Sequence, residues 1–129
     1  MIKGIGIDLC MISRVQSILE REGPDGPFFR RAFTLAEQHE ADGKRDRAAF
    51  FAARFAVKEA VYKAVAPLTK NGFVLRIVES LHRPDGSPYV SVTDNLRPYL
   101  AEAGVSVLHL SVSTEGDFAQ AMVIAEGTD

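Results

Sequence analysis

The sequence predicts an α+β domain in which an antiparallel sheet packs on a long central helix. The stretch from Asp46 to Val65 is rich in alanine and phenylalanine and contains neither glycine nor proline, which favours one long helix. Two pairs of β-rich segments each flank a reversal signal, which predicts two antiparallel hairpins. Strands and helices do not alternate as a parallel sheet requires, and 129 residues are about one domain, 1–129.

The composition is that of a folded globular chain, because 47% of the residues are apolar and 25% are charged. A net charge of −2 gives no general attraction to polyanions, so we expect no nucleic-acid partner. Cys10 is the only cysteine and no long apolar stretch follows Met1, so we expect neither a disulfide framework nor a signal peptide. No apolar run is long enough to span a membrane. These features predict a cytoplasmic protein without a membrane partner.

The first segment, IKGIGID, is predicted to be a short strand that ends at Asp8. Ile5 and Ile7 alternate with glycines, which permit close approach by another backbone or by a ligand. A first helix follows and stops at Gly23 and Pro24. Its apolar residues recur at helical spacing: Ile12, Val15, Ile18 and Leu19.

Two further helices are predicted before the first hairpin. Thr34 and Glu37 have the spacing of a capping box, so a second helix begins there and fades at Gly43. The third is the long helix of residues 46–65, which ends before Pro67. Its apolar side chains cover so much of its circumference that we expect it to be largely buried.

The second half of the chain is predicted to contain the two hairpins and a short helix. The helix lies in DNLRPYLAEAG, capped by Asp94 or Asn95 and closed by Gly104. RPDGSP and STEGD are the reversal signals. The strands they join are FVLRIVESL with YVSV, and VSVLHLSV with FAQAMVIAE.

Four charged side chains of the long helix could be structural or functional. Arg54 and Lys58 share one face, and Glu59 and Lys63 share a second face about 100° away. The pairs could be ordinary surface charges, because Glu followed by Lys four residues later is a common exposed ion pair. In a buried helix, however, three cations around one Glu suggest a missing anion, such as a phosphate bridged to Glu59 by a hard cation.

Asp8 also has two interpretations. An Asp that closes a strand is frequently the cap of the following helix. A carboxylate at that position can instead serve Mg²⁺, which is usually held by one or two carboxylates while phosphate oxygens and water complete the octahedron. Asp8 and Glu59 would form such a pair.

Two motifs give the chain a resemblance to a known family. GIGID at residues 4–8 and RFAVKEAVYK at residues 54–63 are similar to the two signatures of the holo-acyl-carrier-protein synthases, which are small 4′-phosphopantetheinyl transferases. ISRV, DGSPYVSV and the closing LHLSVSTEGDFAQAMVIAE extend the similarity over almost the whole chain. The resemblance implies an α+β fold, a homotrimer with active sites between subunits, and a role in fatty acid biosynthesis. It implies transfer of 4′-phosphopantetheine from coenzyme A to a serine of apo-acyl carrier protein, with release of adenosine 3′,5′-bisphosphate.

The resemblance also implies roles for individual residues. Asp8 and Glu59 match the two Mg²⁺ ligands, and Lys63 matches a lysine near the reacting phosphates of coenzyme A. The Mg²⁺ would neutralise phosphate oxygens, and Glu59, directly or through a metal-bound water, is the expected proton acceptor for the carrier serine. Arg54 and His109 match positions that line the coenzyme A site, although His109 could equally be a structural histidine within its strand.

The first helix is the expected docking element for the carrier protein. Arg14 matches an arginine on the helix that receives the acidic carrier in the family. Arg21 lies seven residues later and therefore on the same side of the helix. Two positive charges on one side would attract an acidic partner.

The chain departs from the family pattern at three places. Many family members carry a Glu three residues after the strand Asp, where this chain has Met11. The larger monomeric relatives carry a carboxylate two residues after that Asp, where this chain has Cys10. A Gly-x-Gly-Ile loop after the helix is replaced by APLTKNGF, which keeps only Gly72, and a Ser-His pair is replaced by Ser113 and Thr114. These departures motivate an alternative, a catalytically impaired module of the same fold that binds the carrier protein or coenzyme A.

Overall fold

The computed structural model describes residues 1–128, so Asp129, the last residue of the predicted domain, lies outside the described residues. Within residues 1–128, none of the helices has both the length and the apolar character needed to cross a membrane. The elements in chain order are β1 (Ile2–Met11), α1 (Ile12–Glu22), α2 (Pro27–Ala32), α3 (Leu35–Ala41), α4 (Arg47–Val65), β2 (Glu79–His82), β3 (Pro88–Ser91), α5 (Arg97–Ala103), β4 (Val107–Glu115) and β5 (Phe118–Glu126).

The strands form one three-stranded sheet and one separate hairpin. The sheet has the order β1-β5-β4 and is antiparallel throughout, whereas β2 pairs only with β3. Asp8 lies opposite Ala121 of β5, and Ala121 lies opposite Val112 of β4, so these three residues share one face of the sheet. The predicted α+β class with an antiparallel sheet is confirmed.

The long helix α4 packs on the sheet through the glycines of β1. A Cβ atom placed on Gly4 would lie 2.0 Å from the carbonyl oxygen of Ala64, and one on Gly6 would lie 1.9 Å from that of Ala60. Any side chain at these positions would therefore push the helix away from the strand. The sequence predicted that the glycines permit close approach by another backbone or by a ligand. The structure shows close approach by the backbone of α4.

The predicted long helix is confirmed, with Asp46 as its N-cap and with most of its circumference buried. Its C-terminal half packs against alanines and valines of β5, and its N-terminal half packs in a cluster of aromatic rings. Phe51 of α4 lies between Phe29 and Phe33, with ring centroids 4.7 and 4.8 Å away. The helix is therefore held on both sides, which fixes the direction of its charged side chains.

The structure corrects the predicted start of the chain. β1 does not end at Asp8, because pairing with β5 continues to Met11, which lies opposite Phe118. Met11 is also the residue that precedes α1, so Asp8 does not cap that helix. The Thr34 and Glu37 capping box is confirmed at the start of α3.

Three other predicted boundaries also differ. The segment after the GPDGP turn forms the short helix α2, so four helices, not three, precede the β2–β3 hairpin. Residues Leu75–Ile77 of the predicted first hairpin strand form a 3-10 helix. Neither Asp94 nor Asn95 caps α5; the Thr93 hydroxyl instead accepts the Leu96 amide at 3.2 Å.

Candidate active site

Asp8 and Lys63 meet where β1 crosses α4. Asp8 alternates along β1 with the exposed Ile7 and Leu9, so its side chain points toward α4. The Lys63 ammonium donates to Asp8 Oδ1 at 3.0 Å and to the Ile7 carbonyl oxygen at 2.9 Å. Lys63 therefore pairs with the strand carboxylate, and not with Glu59 four residues before it as the surface-pair interpretation required.

Glu59 lies beside this pair. Partial burial raises the pKa of Glu59, the Asp8 carboxylate raises it further, and the Lys63 ammonium acts in the opposite direction. The Glu59 carboxylate forms no hydrogen bond with residues 1–128. Two carboxylates thus line one cavity, with a single ammonium bound to only one of them.

The donor set fits a hard divalent ion that keeps other ligands. The described residues hold no group of three or more His, Cys, Asp or Glu side chains arranged to bind a metal. Mg²⁺ is usually bound by only one or two carboxylates plus phosphate oxygens and water, so Asp8 and Glu59 are sufficient. Burial and the Asp8 carboxylate raise the pKa of the nearby Cys10 thiol, which keeps it neutral and a poor ligand for a hard cation.

The two carboxylates line a surface cavity of about 400 Å³ between β1, α1, α2 and α4. Arg14 of α1 reaches the same cavity, and Ile18, Phe28 and Phe55 form its apolar part. The structure therefore joins the predicted carrier-docking helix to the candidate metal site. Arg21 is exposed on the same side of α1 but does not line the cavity.

Arg54 points away from this cavity. Its side chain is 2% exposed, and it donates to Glu40 Oε1 of α3 at 3.0 Å and contacts His82 of β2. The guanidinium also lies 4.5 Å from the centroid of the Phe50 ring. The structure does not bring Arg54 together with Asp8 and Lys63 within one chain, and no sequence signal indicated its partners Glu40 and His82.

Lys58 is fully buried on the same face as Arg54. Its ammonium donates to Glu37 Oε1 at 2.7 Å and to the Val78 carbonyl oxygen. Glu37 also accepts the backbone amides of Thr34 at 2.7 Å and Ser80 at 2.9 Å. The capping-box spacing identified Glu37 as a helix cap, but no sequence signal showed that it also neutralises Lys58.

These contacts correct the inference drawn from charge imbalance on α4. Two of the three cations, Arg54 and Lys58, already have carboxylate partners in α3. They therefore give no evidence for a missing anion. The face of Glu59 and Lys63, together with Asp8, lies at a surface cavity and forms the candidate active site.

His109 lies on the opposite face of the sheet from Asp8. It pairs in register with Ile124, which in turn pairs with Ile5, and all three side chains point away from α4. Its Nε2 lies 2.8 Å from Glu126 Oε1. A single chain therefore does not combine His109 with the candidate metal site.

The chain as a whole matches a known family. Residues 4–123 match the family model of the 4′-phosphopantetheinyl transferase superfamily, and the chain belongs to that superfamily. Its relatives include the holo-[acyl-carrier-protein] synthases of a Methylorubrum extorquens strain and of a Caulobacter species. They are 41% and 38% identical to it, over 98% of this chain and 94% and 96% of theirs.

Solved structures agree with this assignment. The holo-[acyl-carrier-protein] synthase of Neisseria meningitidis superposes with a TM-score of 0.85 at 32% identity, covering 98% of this chain and 99% of that one. A holo-(acyl-carrier-protein) synthase of Bacillus anthracis in complex with CoA (3′,5′-ADP) has a TM-score of 0.76 at 29% identity, covering 99% of each chain. Within the superfamily, the chain therefore belongs with the holo-acyl-carrier-protein synthases.

Proposed function

We propose that the chain transfers 4′-phosphopantetheine from coenzyme A to a serine of apo-acyl carrier protein. The observation that supports this most directly is the open face of α4, where Asp8, Glu59 and Lys63 lie together beside a cavity that Arg14 also lines. The family and the full-length relatives identify the reaction class. The serine oxygen forms a bond to the β-phosphorus of coenzyme A, the bond to adenosine 3′,5′-bisphosphate breaks, and the serine proton is removed.

Each residue of the open face has a distinct task. Glu59 accepts the serine proton, because its carboxylate lines the cavity and forms no hydrogen bond with residues 1–128. Lys63 offsets negative charge on the diphosphate while its bond to Asp8 holds both side chains in place. When bound by Asp8 and Glu59, Mg²⁺ supplies neutralisation of the phosphate oxygens.

The carrier protein docks on α1 in this proposal. Arg14 lies between the candidate metal site and the exposed side of α1, and Arg21 extends the positive charge along that side. An acidic carrier would therefore be guided to present its serine at the cavity. Substitution Arg14→Ala should raise the KM for the carrier and leave coenzyme A affinity unchanged; the reverse ranking would contradict this placement.

The active form is proposed to be a homotrimer with active sites between subunits. The outer face of the sheet, which points away from α4, is apolar and exposed: Ile5, Ile7 and Leu9 of β1 are 58%, 51% and 57% exposed. Met122 and Phe118 of β5 continue this face. A contiguous exposed apolar surface of this kind marks a protein interface.

The same arrangement would give His109 a place in the site. His109 lies on the outer face of the sheet, so it would face a neighbouring copy and not its own Asp8. This supports the assignment of His109 to a coenzyme A site shared between subunits. Arg54 remains a predicted coenzyme A contact, and the location of the protein in the cytoplasm remains a prediction.

The transfer reaction tests the proposed function. The protein is incubated with coenzyme A, Mg²⁺ and an apo-acyl carrier protein, and the mass of the carrier is measured. A gain of one phosphopantetheine group that depends on Mg²⁺ is the expected result. Binding of coenzyme A or carrier without any mass gain would instead identify the impaired binding module.

The oligomer is tested separately by light scattering. Substitution Ile7→Asp places a charge in the outer face and should convert the trimer to monomers and abolish transfer. Leu35→Asp is the matched control, because Leu35 is 75% exposed on α3 outside that face. A wild-type protein that is monomeric at assay concentration would remove the proposal of active sites between subunits.

A further inference from the structure

The surroundings of Arg54 differ from those of the fully buried pair of Lys58 and Glu37. The Arg54 side chain is 2% exposed, but its partners Glu40 of α3 and His82 of β2 are 28% and 34% exposed. A ligand that approaches the Arg54 guanidinium from this side therefore meets Glu40 and His82 first. Access to Arg54 depends on whether these two side chains stay in place.

The Arg54 guanidinium is only partly satisfied within residues 1–128. A guanidinium has five N–H donors. Nη2 donates to Glu40 Oε1 at 3.0 Å and contacts His82 Nδ1, but the buried Nε has no hydrogen-bond partner among the described residues. A buried donor without a partner is unfavourable, so an added acceptor can compete with Glu40 for the guanidinium.

One nitrogen of His82 lies between two partners that require opposite proton positions. His82 Nδ1 contacts Arg54 Nη2 and also lies 3.1 Å from Glu40 Oε1. To accept a hydrogen bond from Arg54, Nδ1 must carry no proton, and to donate to Glu40 it must carry one. Neutral His82 with its proton on Nε2 is therefore compatible with the contact to Arg54, whereas protonated His82 competes with Arg54 for Glu40.

Protonation of His82 also changes the charge beside Arg54. The neutral form holds one cation and one anion, and the protonated form holds two cations around one carboxylate. Partial burial raises the pKa of Glu40, but hydrogen bonds from His82 and Arg54 outweigh it and hold this pKa below its ordinary value. Glu40 consequently stays ionised while a histidine titrates, and repulsion between the two cations then weakens the hold on Arg54.

The other charged groups around the cluster belong to α3 and to the loop before α4. Glu37 of α3 acts on Arg54 electrostatically. The Lys44 ammonium lies 5.6 Å from the centroid of an aromatic ring of α4 that the Arg54 guanidinium also contacts. On β3, the residue opposite His82 is the uncharged Pro88. Histidine is the side-chain type that changes charge between about pH 5 and 8, so His82 is the member of this cluster that responds to pH there.

We propose that Glu40 and His82 act together as a pH-dependent latch on Arg54 that lowers the affinity for coenzyme A while His82 is neutral. This inference rests on the proposed function, in which Arg54 contacts coenzyme A. With the latch closed, Glu40 occupies the guanidinium as an internal anion that coenzyme A must displace. With His82 protonated, Glu40 pairs with the imidazolium and leaves Arg54 available to an anionic group of coenzyme A. The apparent affinity is reduced by the fraction of molecules in which Arg54 is available.

The test measures coenzyme A binding by calorimetry at about pH 8.5 and at about pH 6, where histidine is mostly neutral and mostly protonated. Glu40→Gln should bind coenzyme A about tenfold more tightly than wild type at the higher pH and less than about threefold more tightly at the lower pH. His82→Asn should match wild type at the higher pH and bind more weakly than wild type at the lower pH. Comparing each variant with wild type at the same pH removes the titration of coenzyme A itself.

Asp42→Asn is the matched control, because the exposed Asp42 at the end of α3 also pairs with an arginine of α4, Arg47 at 3.6 Å. It should change neither affinity. A gain of affinity in Glu40→Gln is informative because a damaged fold would produce a loss.

The latch is overturned if Glu40→Gln binds no more tightly than wild type at the higher pH, or if its advantage is the same at both pH values. It is also overturned if His82→Asn keeps the pH dependence of wild type. In these cases wild type still binds coenzyme A and modifies the carrier, so the proposed function stands. If wild type binds no coenzyme A at either pH and transfers nothing, the proposed function and the latch both fail.

Discussion

The two charged faces of α4 carry similar residues but differ in their surroundings. On one face, Lys58 is fully buried and its ammonium is satisfied by Glu37 and a backbone carbonyl. On the other face, Lys63 is 51% exposed and bound to Asp8, while Glu59 accepts no hydrogen bond from residues 1–128. Each face carries a lysine of the same helix, so the lysine alone does not show which face is structural.

The difference indicates how a structural charge is separated from a functional one. The ion pair of Lys58 and Glu37 is fully buried, so a ligand cannot reach it, and its role is to join α3, α4 and the β2–β3 hairpin. A half-buried carboxylate next to a second carboxylate is unfavourable by itself and becomes favourable when a cation binds. The exposure of the lysine and the neighbouring carboxylate without a hydrogen bond in the described residues, more than charge alone, assign the two roles.

The largest expected effect is a loss of stability, from a substitution on the closed face of α4, which carries Arg54 and Lys58. Lys58→Met should lower the free energy of unfolding by about 3–5 kcal/mol, because it leaves Glu37 buried without its cation. Lys63→Met, the matched substitution on the open face, should cost less than about 1 kcal/mol. Urea denaturation of both variants measures the difference. Equal losses would remove the structural distinction between the two faces.

A double substitution separates the lost charge from lost packing. Adding Glu37→Gln to Lys58→Met removes the unpaired negative charge, and the single amide oxygen can still accept one of the two backbone amides, Thr34 or Ser80, that the carboxylate oxygens accept. The double variant should therefore be more stable than Lys58→Met alone. If it is less stable, the cost of Lys58→Met arises from packing and not from an unpaired charge.

The second-largest expected effect is a loss of turnover, from a substitution on the open face of α4. Glu59→Gln keeps the shape of the side chain but removes its charge, so Mg²⁺-dependent transfer should fall about 100-fold or more. Unfolding should not become easier, because Glu59 forms no hydrogen bond within the described residues. Glu37→Gln is the control with the opposite expected profile, a loss of stability with transfer per folded molecule retained. Near-native transfer by Glu59→Gln would defeat the assignment of this carboxylate.

Much of the fold could be predicted because its signals are local. The bounds of α4 follow from Asp46 at its start and from the absence of glycine and proline within it, and the α3 cap follows from Thr34 and Glu37. The extent of β1 was underestimated because Met11 belongs to the strand through its pairing with Phe118, over a hundred positions away in the sequence.

The candidate site was predicted in part for the same reason. Family motifs selected Asp8, Glu59 and Lys63, and the structure places these three together. The partners of Arg54 and Lys58 are Glu40 and Glu37 of α3, and no periodicity within α4 can identify residues of another helix. Which charged face was structural could therefore be decided only from the tertiary packing.

The smallest expected effect is on the pH dependence of stability without metal. The pKa of Glu59 is raised above its value of 4.5 by burial and by Asp8, so between the unfolded and folded pKa values the native state binds more protons than the unfolded state. Wild type should consequently lose stability relative to Glu59→Gln as pH rises through that window, and the deficit should persist at neutral pH.

Adding Mg²⁺ should stabilise wild type and reverse the ranking, because the ion binds the native carboxylate pair and Glu59→Gln has lost half of it. Thermal unfolding of both proteins across pH 4–8 (approximately the range in which a raised carboxyl pKa acts), with Mg²⁺ and with EDTA, measures both changes. Parallel curves under both conditions would mean that Glu59 and Asp8 do not interact and that the open face is not a metal site.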